Sequence, residues 1–348
     1  MDTLEKLHNS ITEMIRTVDF SNLWEGFEPL KFALYTDEDC FFDGHYIEKT
    51  PDFCANTAIE YQGEMIAIWK VQNETPLAIL TSKIIHEMFH GFQQKQGWKC
   101  WANEMEALCR YKYDVDNLSI KIAENKLLLD LQEEFDIEKY KKVLSLRKYR
   151  QKLFPYEFDY EIKVEEIEGS ANYVEWQVLK QLDEKAANKL ICDMQNKLIN
   201  PKYYFPIRIS SYYTGALIIN AMILSGEYDY SAKDRPVINQ KLKSVKPIAQ
   251  VDSIIENDRN SIAEVVDAFY DKSRQIVETA VSSDEQVLKG PVELGSVNIY
   301  DARSYDGYLT STYFLMYIEE GVKKVINGDF VIKMRDEKTI DRVYKWNK

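Results

Sequence analysis

Two histidines four residues apart, with a glutamate between them, are the residues of this sequence best suited to do chemistry. They lie in the segment His86-Glu87-Met88-Phe89-His90. On a helix, a spacing of four residues places both imidazoles on one face, from which both can bind a single Zn²⁺. Glu87 then lies beside the metal, where its carboxylate can take a proton from a bound water. The pattern therefore predicts a site for one zinc ion, with Glu87 as general base.

A catalytic zinc needs a third protein ligand and one open position. The chain has four histidines and none follows His90, so a third histidine ligand would have to be His8 or His45, both upstream. A carboxylate is the better source, and two glutamates compete for the role. We favour Glu168, with Glu104 as the alternative.

The neighbours of Glu168 are the reason for this preference. Gly169 and Ala171 carry little side-chain bulk, so a helix bearing Glu168 can approach the metal-binding helix closely. Asn172 follows one turn later, where its side-chain oxygen is expected to accept a hydrogen bond from an imidazole N–H, the support that zinc-bound histidines usually have. Glu165 shares a helical face with Glu168 and is expected as a further acid beside the ligand.

Three regions of the chain supply the elements that must position these residues. Residues 1–74 combine a helical pattern with strand-like runs and are expected to form a helix and a small mixed sheet. Residues 75–280 are dominated by helical periodicity and contain the predicted zinc site. Residues 281–348 are rich in strand-forming residues, and their role is left open. The predicted fold class is α+β, mainly helical around the small N-terminal sheet, with a β-rich C-terminal region.

Individual turns and strands can be predicted within these regions. Thr75-Pro76 suits the start of the helix that carries the two histidines. Apolar runs at 31–35 and at 63–71 indicate strands of the first sheet. Near the end of the chain, Asn327-Gly328 before a strand-like run predicts a hairpin.

Composition narrows the classes of partner. The chain has 348 residues and a formal net charge of −13, and an acidic surface repels phosphate backbones, so nucleic acid is not expected as a partner. The N-terminus lacks the pattern of a signal peptide, and the apolar stretches are short and interrupted by charge, so no membrane span is expected. Five cysteines without a CxxC pair are typical of reduced thiols, which predicts a cytoplasmic protein. The oligomeric state is left open.

Three segments of the chain resemble the gluzincins, which are zinc peptidases that take two histidine ligands from one helix and a glutamate ligand from a later one. Residues 86–90 match the first helix of that family. Residues 168–175 look like the Glu-Gly-x-Ala-x-Tyr helix of its thermolysin-like and aminopeptidase-like members. An Arg-containing stretch at 146–150 before the Glu helix is similar to an uncharacterised bacterial branch. One departure is Asn172, since thermolysin-like proteins usually have an aspartate there, and asparagine implies weaker support of the metal.

A third segment, residues 212–216, is similar to the part of the aminopeptidases in which a tyrosine three residues before a glycine stabilises the transition state. That register selects Tyr212, with Tyr213 as the near alternative. The resemblance implies a zincin-like catalytic domain in which Tyr212 donates a hydrogen bond to the developing oxyanion. In such a domain the strand at 63–71 would be either the sheet edge that binds an extended peptide or an inner strand of the sheet.

The function implied is a zinc-dependent peptidase acting on a peptide or protein substrate. Two alternative functions would use the same residues. The asparagine at 172 and the unassigned C-terminal region are compatible with a catalytically silent module that keeps the fold in order to bind a partner. The zinc and glutamate chemistry also suits a hydrolase of non-peptide amides.

Overall fold

The computed structural model describes residues 3–346 and shows a mixed α/β protein. A small sheet lies near the N-terminus, a helical body follows, and a second sheet lies near the C-terminus. The coarse prediction of a mainly helical protein with two β regions is confirmed, whereas the zincin assignment stays a prediction. All five cysteines are free thiols.

The N-terminal region begins with a helix, α1 (Leu4–Ile15), whose buried residues Leu4, Ile11 and Ile15 pack against the first sheet and the helix that follows it. The strand order of that sheet is β3-β2-β1-β5-β4, with β1 and β5 parallel and the other pairs antiparallel. Its strands are β1 (Phe32–Tyr35), β2 (Cys40–Phe42), β3 (His45–Ile47), β4 (Thr57–Tyr61) and β5 (Glu64–Lys70). The sheet is therefore mixed, as predicted.

Strand β5 is an inner strand of this sheet, so the possibility that residues 63–71 form its edge is wrong. β5 pairs with β1 on one side and with β4 on the other. Ile66, Ala67 and Ile68 are consecutive and all buried, the pattern of a strand covered on both faces. The edge strands are β3 and β4, and β4 reverses into β5 through a turn at Gln62 and Gly63.

The helical body holds the residues of the zinc pattern. Its helices are α2 (Leu77–Lys95), α3 (Glu104–Arg110), α4 (Val115–Glu133), α5 (Ile137–Leu153), α6 (Pro155–Val164), α7 (Ser170–Leu182), α8 (Glu184–Ile199), α9 (Ile207–Leu224), α10 (Val237–Lys241) and α11 (Asp252–Ser283). A π-helical turn, Glu165–Gly169, joins α6 to α7. α7 packs against both α2 and α9, and the three helices share one apolar core that extends to the first sheet.

The C-terminal sheet is antiparallel throughout, with the order β10-β9-β6-β12-β11-β8-β7. Its strands are β6 (Gln286–Val297), β7 (Ser304–Tyr305), β8 (Tyr308–Ser311), β9 (Phe314–Glu319), β10 (Val322–Asn327), β11 (Phe330–Met334) and β12 (Thr339–Lys345). Met105 and Leu108 of α3 pack against its core, and Ile276 and Val277 of α11 pack against another part of it. The sheet is thus attached to the helical body by α3 and α11.

The hairpin predicted at Asn327-Gly328 is wrong. β10 pairs with β9, whereas β11 pairs with β12 and β8, so the two strands on either side of Gly328 are not neighbours. Two-residue hairpins instead join β9 to β10, at Glu320 and Gly321, and β7 to β8, at Asp306 and Gly307, and all four residues have positive φ. The local turn signal at Asn327-Gly328 fails because the chain leaves an edge strand, β10, and enters the inner strand β11, whose neighbours are β12 and β8.

Helix α9 passes a length-and-composition test for a membrane span, contrary to the expectation that no apolar segment is long enough. Of this segment, 61% is buried inside the protein. A core helix of a protein without any membrane span also passes this test, and α9 packs in that way against α7.

Candidate metal centre

The two histidines lie on α2, which begins at Leu77, directly after the predicted start at Thr75-Pro76. Ile84 and Met88 on this helix are fully buried in the core. They hold one face of α2 against the protein, so that His86 and His90 project from another face, one turn apart. The imidazole rings are at 77° to each other, with their centroids 4.9 Å apart.

Three side chains bring their ligand atoms together, as a single metal ion requires. The Nε2 atoms of His86 and His90 are 3.2 Å apart, and Glu168 Oε2 lies 3.3 Å from His90 Nε2. A tetrahedral zinc with bonds of about 2.0–2.1 Å separates its ligand atoms by about 3.3–3.4 Å. The two observed separations are close to the edges of that tetrahedron, and the donor set of two imidazoles and a carboxylate is one that zinc prefers. These residues therefore fit a zinc ion.

The second ring nitrogen of each histidine is also held in place. His86 Nδ1 lies 3.1 Å from Glu175 Oε2, an ion-pair distance without hydrogen-bond alignment, whereas His90 Nδ1 is hydrogen-bonded to Gln93 Oε1 at 2.8 Å. Gln93 itself donates to the main-chain oxygen of Ile167 at 2.9 Å. An acceptor at Nδ1 fixes the orientation of the ring, and in the neutral imidazole it keeps the proton at Nδ1, so that Nε2 is available to a metal. Glu175 and Gln93 were missed by the sequence reasoning, although Gln93 lies one turn after His90 and Glu175 two turns after Glu168.

Asn172 does not have the role predicted for it. Its Nδ2 donates to the main-chain oxygen of Glu168 at 3.0 Å, and no contact with an imidazole is found among residues 3–346. The amide is therefore used within its own helix. Support of the imidazoles comes from Glu175 and Gln93 instead, so an asparagine at this position does not by itself imply a weak site.

Glu165 is also absent from the metal centre, and the prediction that it shares a face with Glu168 is contradicted. The π-helical turn is wider than an α-helical one, with hydrogen bonds from residue i to i+5, so residues three apart no longer lie above one another. Glu165 instead forms ion pairs with Arg147 and Lys121. These belong to a cluster of six charged side chains, none more than 3% exposed: Lys121, Glu124, Arg147, Arg150, Glu161 and Glu165.

Glu104, the alternative ligand, lies outside the group of three ligand atoms. It accepts a hydrogen bond from Tyr160 Oη at 2.7 Å and forms an ion pair with Arg208. Arg208 also donates from Nη2 to Glu168 Oε1 at 2.6 Å. This contact holds one oxygen of Glu168 and leaves Oε2 facing His90. Arg208 was missed by the sequence reasoning, although it lies one turn before Tyr212 on α9.

The metal ligands open into a cleft of about 250 Å³ that also holds Glu87 and Tyr212. Tyr213, the alternative to Tyr212, points elsewhere, because its hydroxyl accepts a hydrogen bond from Lys197 Nζ at 2.8 Å. The structure thus distinguishes Tyr212, which faces the cleft, from Tyr213, which does not. Other walls of the cleft come from Asn56, Thr57, Gln94, Trp101 and Tyr300.

Tyr300 was missed as a site residue, and no local signal marks it. It belongs to the turn after β6, in the C-terminal region to which the sequence assigned no role. It lines the same cleft as Tyr212, and its nearby phenol helps to raise the pKa of Tyr212. The other two histidines are elsewhere, with His8 stacked on Phe32 and His45 exposed on β3.

The charged groups of the metal centre shift one another's pKa values. Burial by itself lowers the pKa of His90, but the carboxylates of Glu168 and Glu87 outweigh it and raise this pKa to about 9. Burial likewise raises the pKa of Glu168, yet His90 and Arg208 bring it down to about 2. Burial, followed by the charge of Glu168, raises the pKa of Tyr212 well above its usual value, so this phenol keeps its proton at neutral pH.

Comparisons with known proteins found no match among family models, curated proteins or solved structures. The resemblance to the gluzincins therefore rests on the residues and spacings of this chain, and the functional argument rests on the geometry of the centre.

Proposed function

We propose that this chain is a zinc-dependent peptidase of the gluzincin type, with one zinc ion bound by His86, His90 and Glu168. The observation that carries the proposal is the convergence of three zinc-type ligand atoms, all within 4.8 Å of one another, in a cleft that also contains Glu87 and Tyr212. A bound zinc ion would supply a water of lowered pKa and polarise the scissile carbonyl.

Glu87 is the base in this proposal. It lies on α2 next to His86, lines the cleft, and is not among the three ligands. Its carboxylate takes a proton from the attacking water and passes it to the leaving amine.

Tyr212 donates a hydrogen bond to the oxyanion that develops on the substrate carbonyl. Its raised pKa keeps the phenol protonated, which this role requires. Tyr300 lines the same cleft, so its phenol also faces the substrate in this proposal.

The unpaired edge of β4 is where an extended substrate would bind. Asn56 and Thr57, at the start of this strand, line the cleft. Main-chain groups along such an edge can pair with an added strand. In this proposal the substrate edge is therefore β4, rather than β5.

The test is to measure the zinc content of the purified protein and its cleavage of a mixed peptide library. Glu87→Gln should keep one zinc per chain and lose about 100-fold or more of kcat/KM. Glu184→Gln, the same change at an exposed glutamate of α8, is the matched control and should leave cleavage unchanged.

Full cleavage by Glu87→Gln would contradict the mechanism. Stoichiometric zinc without cleavage of any peptide would instead support the silent binding module, or the hydrolase of non-peptide amides if amide substrates of that kind are turned over. A cytoplasmic location remains a prediction from cysteine usage and the N-terminal sequence.

A further inference from the structure

A second cavity, of about 310 Å³, lies where the C-terminal sheet meets the helical body. This volume is at the lower end for ligand pockets and suits one side chain or one terminal residue rather than a larger molecule. Aromatic side chains form about a third of the wall and provide a rigid apolar surface: Tyr111, Tyr113, Tyr160, Phe269, Tyr270 and Tyr305.

Arg303 brings a positive charge to this cavity. Its guanidinium stacks on Phe269 at 4.6 Å, and Nη1 donates to the main-chain oxygen of Phe269 at 3.3 Å and to Ser273 Oγ at 3.5 Å. Burial lowers its pKa, and the charge of Asp301 only partly opposes this. No carboxylate of residues 3–346 forms an ion pair with Arg303. A partly buried guanidinium without such a partner favours binding of an anion.

Arg208 also lines this cavity, but its two Nη atoms already bind the carboxylates of Glu104 and Glu168. Its Nε is buried too deeply for a ligand in the cavity to reach it. Arg303 is therefore the partly buried cation of this wall that is left to pair with a bound anion.

The cavity lies next to the metal centre, although none of residues 3–346 lines both. Arg208 joins Glu104, in the cavity wall, to the metal ligand Glu168. The turn after β6 contributes Tyr300 to the cleft of the metal centre and Arg303 to the cavity. The two sites are therefore neighbours, bridged by one side chain and by one turn of the chain.

We propose that this cavity is a carboxylate-binding subsite, in which Arg303 recognises an acidic side chain or a free C-terminal carboxylate of the substrate. The inference rests on the proposed peptidase function. It also assigns a role to the C-terminal sheet, which supplies the recognising cation. A chain of net charge −13 otherwise repels acidic peptides, so a preference for carboxylates has to come from a local site of this kind.

The experiment measures binding of fluorescent peptides to zinc-loaded Glu87→Gln protein by anisotropy. One pair of peptides differs only in having glutamate or glutamine near the centre. A second pair differs only in having a free or an amidated C-terminus, so the two sources of carboxylate are distinguished. At least one carboxylate form should bind about tenfold more tightly than its amide counterpart. Adding Arg303→Gln should remove this preference, while Arg303→Lys should retain part of it.

Arg342→Gln, at an exposed arginine of β12, is the matched control and should keep the full preference. Because Arg303 also packs on Phe269, each variant is checked by thermal unfolding, and the retained preference of Arg303→Lys separates charge from packing. An equal preference with and without Arg303, or no preference for any carboxylate, overturns the inference.

The failure of this inference is distinguishable from failure of the proposed function. Cleavage of peptides by the unsubstituted protein without a carboxylate preference overturns the subsite alone. A preference that depends on Arg303, in a protein that cleaves no peptide, supports the subsite and overturns the peptidase.

Discussion

At the scale of single residues, the metal centre depends on side chains that do not touch the metal position. Glu175 and Gln93 hold the Nδ1 atoms of the two histidines, and Arg208 holds one oxygen of Glu168. Each contact removes rotational freedom from a ligand before any metal binds, so less entropy is lost on binding.

Glu175→Gln should weaken zinc binding by about 10–100-fold, because a neutral amide supports the imidazole of His86 less well than a carboxylate does. Asn172→Ala is the control, since Asn172 contacts the main chain of its own helix instead of an imidazole. Competition against a zinc-binding dye measures both affinities. Equal affinities for the two variants would show that the contact of Glu175 has no influence on the metal.

His8 provides a residue-scale prediction about pH. Burial against Phe32 lowers the pKa of His8 below 6.5, despite an opposing contact between its Nε2 and the Phe32 carbonyl at 3.2 Å. Between the lowered value and 6.5, the unfolded chain binds more protons than the folded chain, so the free energy of unfolding falls as the pH drops.

Urea unfolding at about pH 7.5 and about pH 5.5 measures this loss. His8→Gln should lose less stability on acidification than the unsubstituted protein does. His45→Gln, at an exposed imidazole, should keep the original loss. The explanation fails if both variants lose the same amount.

At the scale of elements, the π-helical turn and α9 approach so closely that only glycine fits. A Cβ added at Gly215 would lie 2.6 Å from the main-chain oxygen of Glu165 and 2.7 Å from the Cα of Gly169. This crossing lies one residue from Glu168 and three residues from Tyr212. The two glycines therefore set the distance between the metal ligand and the proposed oxyanion donor.

Gly215→Ala should destabilise the protein by about 1–3 kcal/mol, because the contacted atoms are main-chain atoms that cannot rotate away. The shift of the π-helical turn should also weaken zinc binding. Leu224→Ala, at an exposed position at the end of the same helix, should change stability by no more than about 0.5 kcal/mol. Thermal unfolding with and without zinc tests both effects. A Gly215→Ala protein as stable as the parent would contradict the close crossing.

At the scale of the whole molecule, the metal position joins α2 to the π-helical turn. Without metal, His90 and Glu168 attract each other, since the pKa of His90 is raised and that of Glu168 is lowered. Zinc would replace the proton on His90 and bind the folded chain in preference to the unfolded one.

Zinc should therefore raise Tm, and prolonged dialysis against a chelator should lower it. At a free zinc concentration one hundred times Kd, the stabilisation is about 2.7 kcal/mol. The effect should weaken at acidic pH, because protons compete with the metal for His90. A protein with both His86→Ala and His90→Ala should melt at a temperature that does not depend on zinc. Zinc-dependent melting of this double variant would place the metal elsewhere.

The sequence by itself determined the elements whose signals are local. The spacing of His86 and His90 requires only one helix, and the small residues after Glu168 mark a helix that can approach another closely. The mixed N-terminal sheet and the β-rich C-terminal region also followed from short-range patterns. Glu168 was preferred to Glu104, and Tyr212 to Tyr213, and the structure places the preferred member of each pair in the cleft.

Other features of the fold and the site were decided only by the tertiary structure, because they depend on contacts between different elements. The π-helical turn changes the helical phase and takes Glu165 into a buried ionic cluster, which α-helical spacing does not foresee. The inner position of β5 and the separation of β10 from β11 follow from the order of the strands in each sheet, which local turn signals do not specify. Tyr300 and Arg303 reach the metal cleft and its neighbouring cavity because a whole sheet docks on the helical body. Docking energies are summed over many remote residues, so no local pattern encodes them.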